Sequence, residues 1–266
     1  MSLIAKPSSR VHPRAISAPV IAVASGKGGV GKTWLSCTMA CMFARQGRRT
    51  LLVDGDFGLA NVDVQLGVRP QADLGAVMRG WVELEDAVTP VLGGVGKSGG
   101  FDLLPGSSGS GALSDLTQQE LMRIGIGVKK LAFHYDRVVL DLAAGVDKSV
   151  VLLAKTADRL LVVTTEEPTA LADAYALIKV TQAASPTLSP FVAVNMAEKR
   201  ITGKRVFDHL SKVCENHLKL RPALAGVIRR DARVSDSIRA QTPLPARHTS
   251  SDALEDVISL IEGLAL

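Results

Sequence analysis

Apolar runs of strand length recur along the chain at residues 20–24, 50–53, 101–104, 137–140, 160–164, 191–194 and 224–228, without strict alternation of polar and apolar positions. A strand with one face in water alternates, whereas a strand covered on both faces does not. These runs therefore predict the buried strands of a parallel sheet. Helical patterns lie between and after them, over 32–46, 117–133, 149–156, 168–184, 204–218 and 252–264. The alternation predicts a doubly wound α/β fold, a mostly parallel sheet with helices on both faces.

The last helical pattern is amphipathic. Leu254, Val257, Ile258, Ile261 and Ala265 form one stripe, with Asp252, Glu255, Asp256, Ser259 and Glu262 opposite. No Lys or Arg follows Arg247, and an acidic face is repelled by anionic lipid. The stripe is expected to pack on the chain's own sheet, with no direct membrane binding through the C-terminus.

Composition narrows the organisation. With 266 residues, 47% hydrophobic and 21% charged, the chain can bury one substantial core. A single domain over 18–266 is expected, after a flexible tail over 1–17 that lacks the apolar run of a signal peptide. No run approaches the roughly 18 residues of a membrane span. Cys37, Cys41 and Cys214 form no CxxC pair, which argues against a disulfide framework or an iron–sulfur site and fits a cytoplasmic location. The net charge of +5 is scattered, as in a solvated basic surface. The glycine-rich stretch 93–100 reads as a surface turn, and the Gly/Ser-rich stretch 105–111 as a flexible segment near the strand ends where ligands bind.

One motif decides the chemistry. Gly26, Lys27, Gly28, Gly29, Val30, Gly31, Lys32 and Thr33 satisfy G-x-x-x-x-G-K-[ST], directly after a predicted strand and directly before a predicted helix. Glycines let backbone N–H groups converge on phosphate oxygens, and the helix directs its positive end at them. Lys32 then serves the β- and γ-phosphates, Thr33 offers a hydroxyl to Mg²⁺, and the cradle runs on to Trp34. The metal also needs an acid at the end of a second strand. Asp141 and Asp54 both occupy such positions, and the sequence leaves the choice between them open.

The loop SGKGGVGKT resembles the deviant Walker A of the MinD/ParA family of ATPases, marked by an early second lysine, here Lys27. The resemblance runs in order from about residue 20 to 245. It implies an ATP-sandwich homodimer in which Lys27 acts on the partner subunit's phosphates. Residues 54–63 (DGDFGLANVD) are similar to the family's switch I, so Asp56 is implied to orient the attacking water. Residues 140–145 (LDLAAG) look like Walker B and switch II, and Asn195 sits where the family reads the adenine edge. Arg229 stands where the family commonly has Pro in its nucleotide-contacting segment.

Residues 54–67, 138–147 and 164–175 are closest to the flagellar-number regulator (FlhG/FleN) branch. The tail does not carry that branch's Gln- and Leu-bearing motif for stimulating a GTPase. The implied activity is hydrolysis of ATP with Mg²⁺ as a dimerising switch. A protein partner in flagellar assembly and polar or peripheral placement through that partner are expected with it. DNA segregation with non-specific DNA as track, cell-division positioning and a metal-cluster scaffold are the alternatives.

Overall fold

The computed structural model describes residues 16–107 and 116–264. The tail expected over 1–17 and the flexible segment expected over 105–111 lie largely outside them, as does Ala265 of the predicted stripe. β1 (Val20–Ser25) has all six residues buried and takes the middle of the sheet. On one side it pairs in parallel with β5 (Arg137–Ala144), through Ala22 opposite Leu140. On the other it pairs in parallel with β6 (Arg159–Thr164), through Ala22 opposite Leu160. Small Ala22 and Ala24 on so central a strand leave room for helices packed on the faces.

The other described strands are β2 (Thr50–Gly55), β3 (Thr89–Val91), β4 (Phe101–Leu104), β7 (Pro190–Ala197) and β8 (Ala223–Arg229), and the sheet order is β3-β4-β2-β5-β1-β6-β7-β8. Every pairing is parallel except that of β3 with β4. The expected doubly wound, mostly parallel sheet is the observed one. β3 is the strand that the sequence reading lacks: three residues including Pro90 carry no period, and Pro is tolerated because the strand lies at the edge.

Between strands run α1 (Lys32–Arg45), α2 (Val62–Leu66), α3 (Leu74–Met78), α4 (Gln118–Leu131), α5 (Lys148–Ala154), α6 (Pro168–Ala184) and α7 (Arg200–Leu218), and after β8 come α8 (Ala232–Arg239), α9 (Leu244–Arg247) and α10 (Asp252–Gly263). Two apolar cores result. One gathers α4, α5, α6 and α7 on one face of the sheet. The other gathers α1, α9 and α10 on the opposite face, with α1 buried almost all round.

α10 settles the amphipathic stripe with one correction. Ser251 caps its first turn, its Oγ accepting from Leu254 N at 3.0 Å. Leu254, Val257 and Ile261 are buried as expected, and Leu260 joins them. Asp256, expected on the solvent side, is buried. Its carboxylate accepts from Arg229 Nε and from Arg200 Nε, each at 2.8 Å, and from Arg229 N at 2.9 Å. Two guanidiniums make the burial tolerable and hold the carboxyl below its usual range against the opposing effect of burial. The neighbouring turn shows how tight the packing is: a Cβ at Gly226 would stand 3.0 Å from Leu260 Cβ.

Leu260→Ala is expected to lower unfolding free energy by about 2–4 kcal/mol, the range for emptying a closed core site. The exposed Glu262→Ala should change it by less than about 0.5 kcal/mol. Urea unfolding of both variants checks this; equal effects would mean that α10 is not packed as described.

Candidate functional site

At the carboxyl ends of β1, β2 and β5 the chain brings two carboxylates and a lysine together out of water. β2 and β5 are in register so that Asp54 stands opposite Asp141, and both are buried. Across from them the loop after β1 turns into α1 through Gly31, whose φ of 86° lies in the left-handed region where glycine carries no penalty. A side chain at Gly31 would also collide with Asn195, whose Nδ2 is 2.3 Å from an ideal Cβ there. The first helical residue is then Lys32, its side chain directed back over the loop.

Lys32 Nζ lies 2.9 Å from Asp141 Oδ1, in a pair whose side chains are 7% and 1% exposed. The same carboxylate accepts from Ser36 Oγ at 2.7 Å and from Thr33 Oγ1 at 2.8 Å. Asp141 thus collects a cation and two hydroxyls, all from α1.

Asp54 is used differently. Its Oδ1 accepts from Asp56 N, and its Oδ2 from Asn61 N and Val62 N, each at 3.1 Å. It ties down the loop that the sequence marks as switch I and the start of α2. Burial first and the charge of Asp141 second push its carboxyl up to about 7, against the lowering effect of those backbone donors. Of the two acids that the sequence leaves open for the metal, Asp141 is the one that touches Thr33. A hydroxyl and a carboxylate oxygen 2.8 Å apart are hard donors of the kind that Mg²⁺ takes together with water, so the residues present fit that ion.

The remaining expected residues divide. Gly28 and Gly29 are exposed and form the open lip of the loop. Gly26 sits so close to α6 that a Cβ would meet the Asp173 carbonyl oxygen at 2.1 Å. Val30 is buried, and its carbonyl accepts from Asn195 Nδ2 at 2.8 Å. Asn195 is itself buried near the end of β7 and braces the loop through that contact.

Two positions are corrected. Trp34 has its indole in the apolar core around α1, with Nε1 buried and unpaired, so only its backbone faces the loop. Arg229 is engaged with Asp256, Asp252 and Glu255 on α10, and its guanidinium holds that helix to β8.

Lys27 is folded back on its own chain, donating to Glu167 Oε2 at 2.7 Å and to Thr169 Oγ1 at 2.9 Å at the start of α6. Asp56 is half-buried, with Oδ1 accepting from Leu59 N at 3.0 Å. It lines a cavity of about 300 Å³ shared with Leu121 of α4, Ala144 of β5 and Ser149 of α5.

Sequence reasoning gave Ser36, Glu167 and Thr169 no role at the site. Ser36 had a signal, since it lies one helical turn after Lys32 on the same face. Glu167 and Thr169 had none apart from the fold, being over a hundred residues from Lys27 in the chain.

The family model "CobQ/CobB/MinD/ParA nucleotide binding domain" matches residues 21–244. The chain is 36% identical to the antiactivator FleN of Pseudomonas aeruginosa over 89% of its own length and 81% of that protein's. It is 28% identical to the flagellum site-determining protein YlxH of Helicobacter pylori, over 92% and 80% of the two lengths. Among solved structures, the septum site-determining protein MinD of Pyrococcus horikoshii OT3, complexed with Mg-ADP, superposes with a TM-score of 0.75 at 23% identity, covering 92% of this chain and 95% of that one. At that identity the likeness is one of fold.

The buried ion pair makes a separable prediction. Lys32→Met should destabilise the chain by about 3–5 kcal/mol, because Asp141 is left charged and buried without a cation. The double variant Lys32→Met/Asp141→Leu should recover at least half of that loss. Urea unfolding of the single and double variants decides; a double variant no more stable than the single would show that the pair is not the source.

Proposed function

The chain belongs to the CobQ/CobB/MinD/ParA nucleotide-binding family, and from that premise we propose that it is an ATP-driven dimerising switch that regulates flagellar number or placement. Its reaction class is that of the MinD/ParA ATPases, hydrolysis of ATP to ADP and phosphate. The observation that carries the reading is the phosphate loop with Lys32, Thr33 and Asp141 locked together beneath it, and Asp56 facing the adjoining cavity.

In this reading the backbone N–H groups from Gly28 to Thr33 and the N-terminus of α1 hold the phosphates. Lys32 moves from Asp141 toward the β- and γ-oxygens as negative charge arrives. Thr33 and Asp141 would hold Mg²⁺, which would supply neutralisation of phosphate charge. Asp56 orients a water in the cavity. The water oxygen bonds to the γ-phosphorus as the bond to the bridging oxygen breaks, and that electron pair leaves on ADP. Positioning and electrostatics account for the catalysis.

Lys27 is the residue that makes the switch bimolecular. Its contact with Glu167 is between side chains 37% and 66% exposed, and pairs of that kind contribute only about 0–1 kcal/mol. Releasing Lys27 to reach a partner subunit's phosphates therefore costs little. Leu59 and Val146, both exposed, flank the same mouth and would be covered in a face-to-face dimer. The likeness to FleN and YlxH supports a flagellar role. The burial of the α10 stripe supports placement at a pole or membrane through a protein partner rather than through that helix. Among the described residues no helix is long and apolar enough to cross a membrane.

ATP is expected to convert monomer to dimer, Asp56→Ala to hold the dimer by blocking hydrolysis, and Lys27→Ala to bind ATP while dimerising poorly. Light scattering with and without ATP reads all three. Wild type and Asp56→Ala both remaining monomeric at about 50 µM, well above the micromolar range of switchable contacts, would end the dimer reading. Flagella per cell in a deletion strain, unchanged from the parent, would end the flagellar one.

A further inference from the structure

α4 and α5 leave an apolar groove on their outer side that the nucleotide reading does not use. α4 packs closely at Gly125 on the turn just after α5, where a Cβ would stand 2.5 Å from Thr156 Cγ2, and the surface beside this contact is concave, with a volume of about 490 Å³. Met122 and Ile126, one turn apart on α4, are 52% and 55% exposed, and Phe133, just beyond the helix, is 38% exposed. Leu152 of α5 closes the floor. Large apolar side chains at successive turns, gathered in one concavity, mark an interaction surface rather than scattered surface residues.

The rim says what covers it. Lys129, Lys130 and Lys155 surround the groove. Lys129 is neutralised by Asp158 at 2.8 Å, while Lys130 and Lys155 have no ion pair among the described residues. Glu120, on the same helix, is turned to the N-terminus of α4, where it accepts from Thr117. We infer that this groove receives an acidic amphipathic helix of a protein partner, its apolar anchors on Met122, Ile126 and Phe133 and its carboxylates on Lys130 and Lys155.

The other occupants fit less well. Residues 1–15 of this chain carry Lys6, Arg10 and Arg14 and no acid, so they meet a rim of like charge. A second copy presenting the same groove meets the same repulsion. A lipid surface is matched by a convex apolar face, not by a concave one. The groove shares no lining residue with the cavity beside Asp56, which Leu121 and Ser149 face, so a docked helix leaves that cavity open.

The test uses the full chain and two fluorescent helical peptides with one leucine stripe, flanked by Glu in one and by Lys in the other, read by anisotropy. Wild type should bind the Glu peptide about tenfold or more tighter than the Lys peptide. Ile126→Glu should lose that binding with an unchanged melting temperature, and Lys130→Glu/Lys155→Glu should reverse the preference. Equal affinity for the two peptides would overturn the proposal, as would a preference that survives the charge reversal. So would pelleting of wild type, but not Ile126→Glu, with phosphatidylglycerol vesicles, or a doubled mass in light scattering without peptide that Ile126→Glu abolishes.

Discussion

Lys32 and Asp141 face each other at 2.9 Å where water scarcely reaches, and each offsets the cost of burying the other's charge. A buried carboxylate or ammonium carries a desolvation cost of several kcal/mol, offset only by a close partner and satisfied hydrogen bonds. Asp141 has both, since Thr33 and Ser36 complete its shell. The loop is consequently closed at its base by chemistry that also suits phosphate and metal. In the proposed reading Lys32 would exchange one negative partner for another, and Thr33 and Asp141 would hold the metal. The binding site is held together by contacts resembling those that a ligand would make.

Everything around this pair is arranged to hold it in place. β5 delivers Asp141 and β2 delivers Asp54 in register beside it. β1 between β5 and β6 sets the start of the loop, and Asn195 from β7 braces its middle. Asp54 contributes by bonding three backbone N–H groups of the following loop, so that Asp56 is presented at the mouth. The C-terminal helix seals the far side through Asp256 and two arginines. Rigidity is concentrated at the base of the site and exposure at its lip, where Gly28, Gly29 and Lys27 are free to respond to a ligand or a second subunit.

The sequence was legible where local chemistry and structure coincide. Short, largely apolar runs bounded by polar or turn residues read as buried strands, and seven of the eight described strands announced themselves in that way. The loop from Gly26 to Thr33 was visible because its glycines are needed at particular backbone positions. Legibility failed where a residue's surroundings come from distant chain. Nothing near Trp34 marks it as core rather than ligand contact, and nothing near Asp256 reveals that Arg200 and Arg229 await it. Arg229 stood where the resemblance suggested nucleotide, and only the docking of α10 shows its use. Lys27 and Glu167 were each noticed as parts of separate motifs, yet their meeting depends on how β1 and β6 lie side by side. That Asp141 and not Asp54 meets Thr33 likewise depends on the reach of the α1 side chains.

The central claim, that Lys32, Thr33 and Asp141 form one site for phosphate and its metal, is tested most directly by titrating a fluorescent ATP analogue with and without Mg²⁺, in wild type and in Thr33→Ala. Wild type should bind about tenfold or more tighter with Mg²⁺ than with EDTA, a difference of about 1.4 kcal/mol, and Thr33→Ala should lose most of that difference while keeping its melting temperature. Equal affinity with Mg²⁺ and EDTA in wild type, or a Mg²⁺ effect undiminished in Thr33→Ala, would contradict the account.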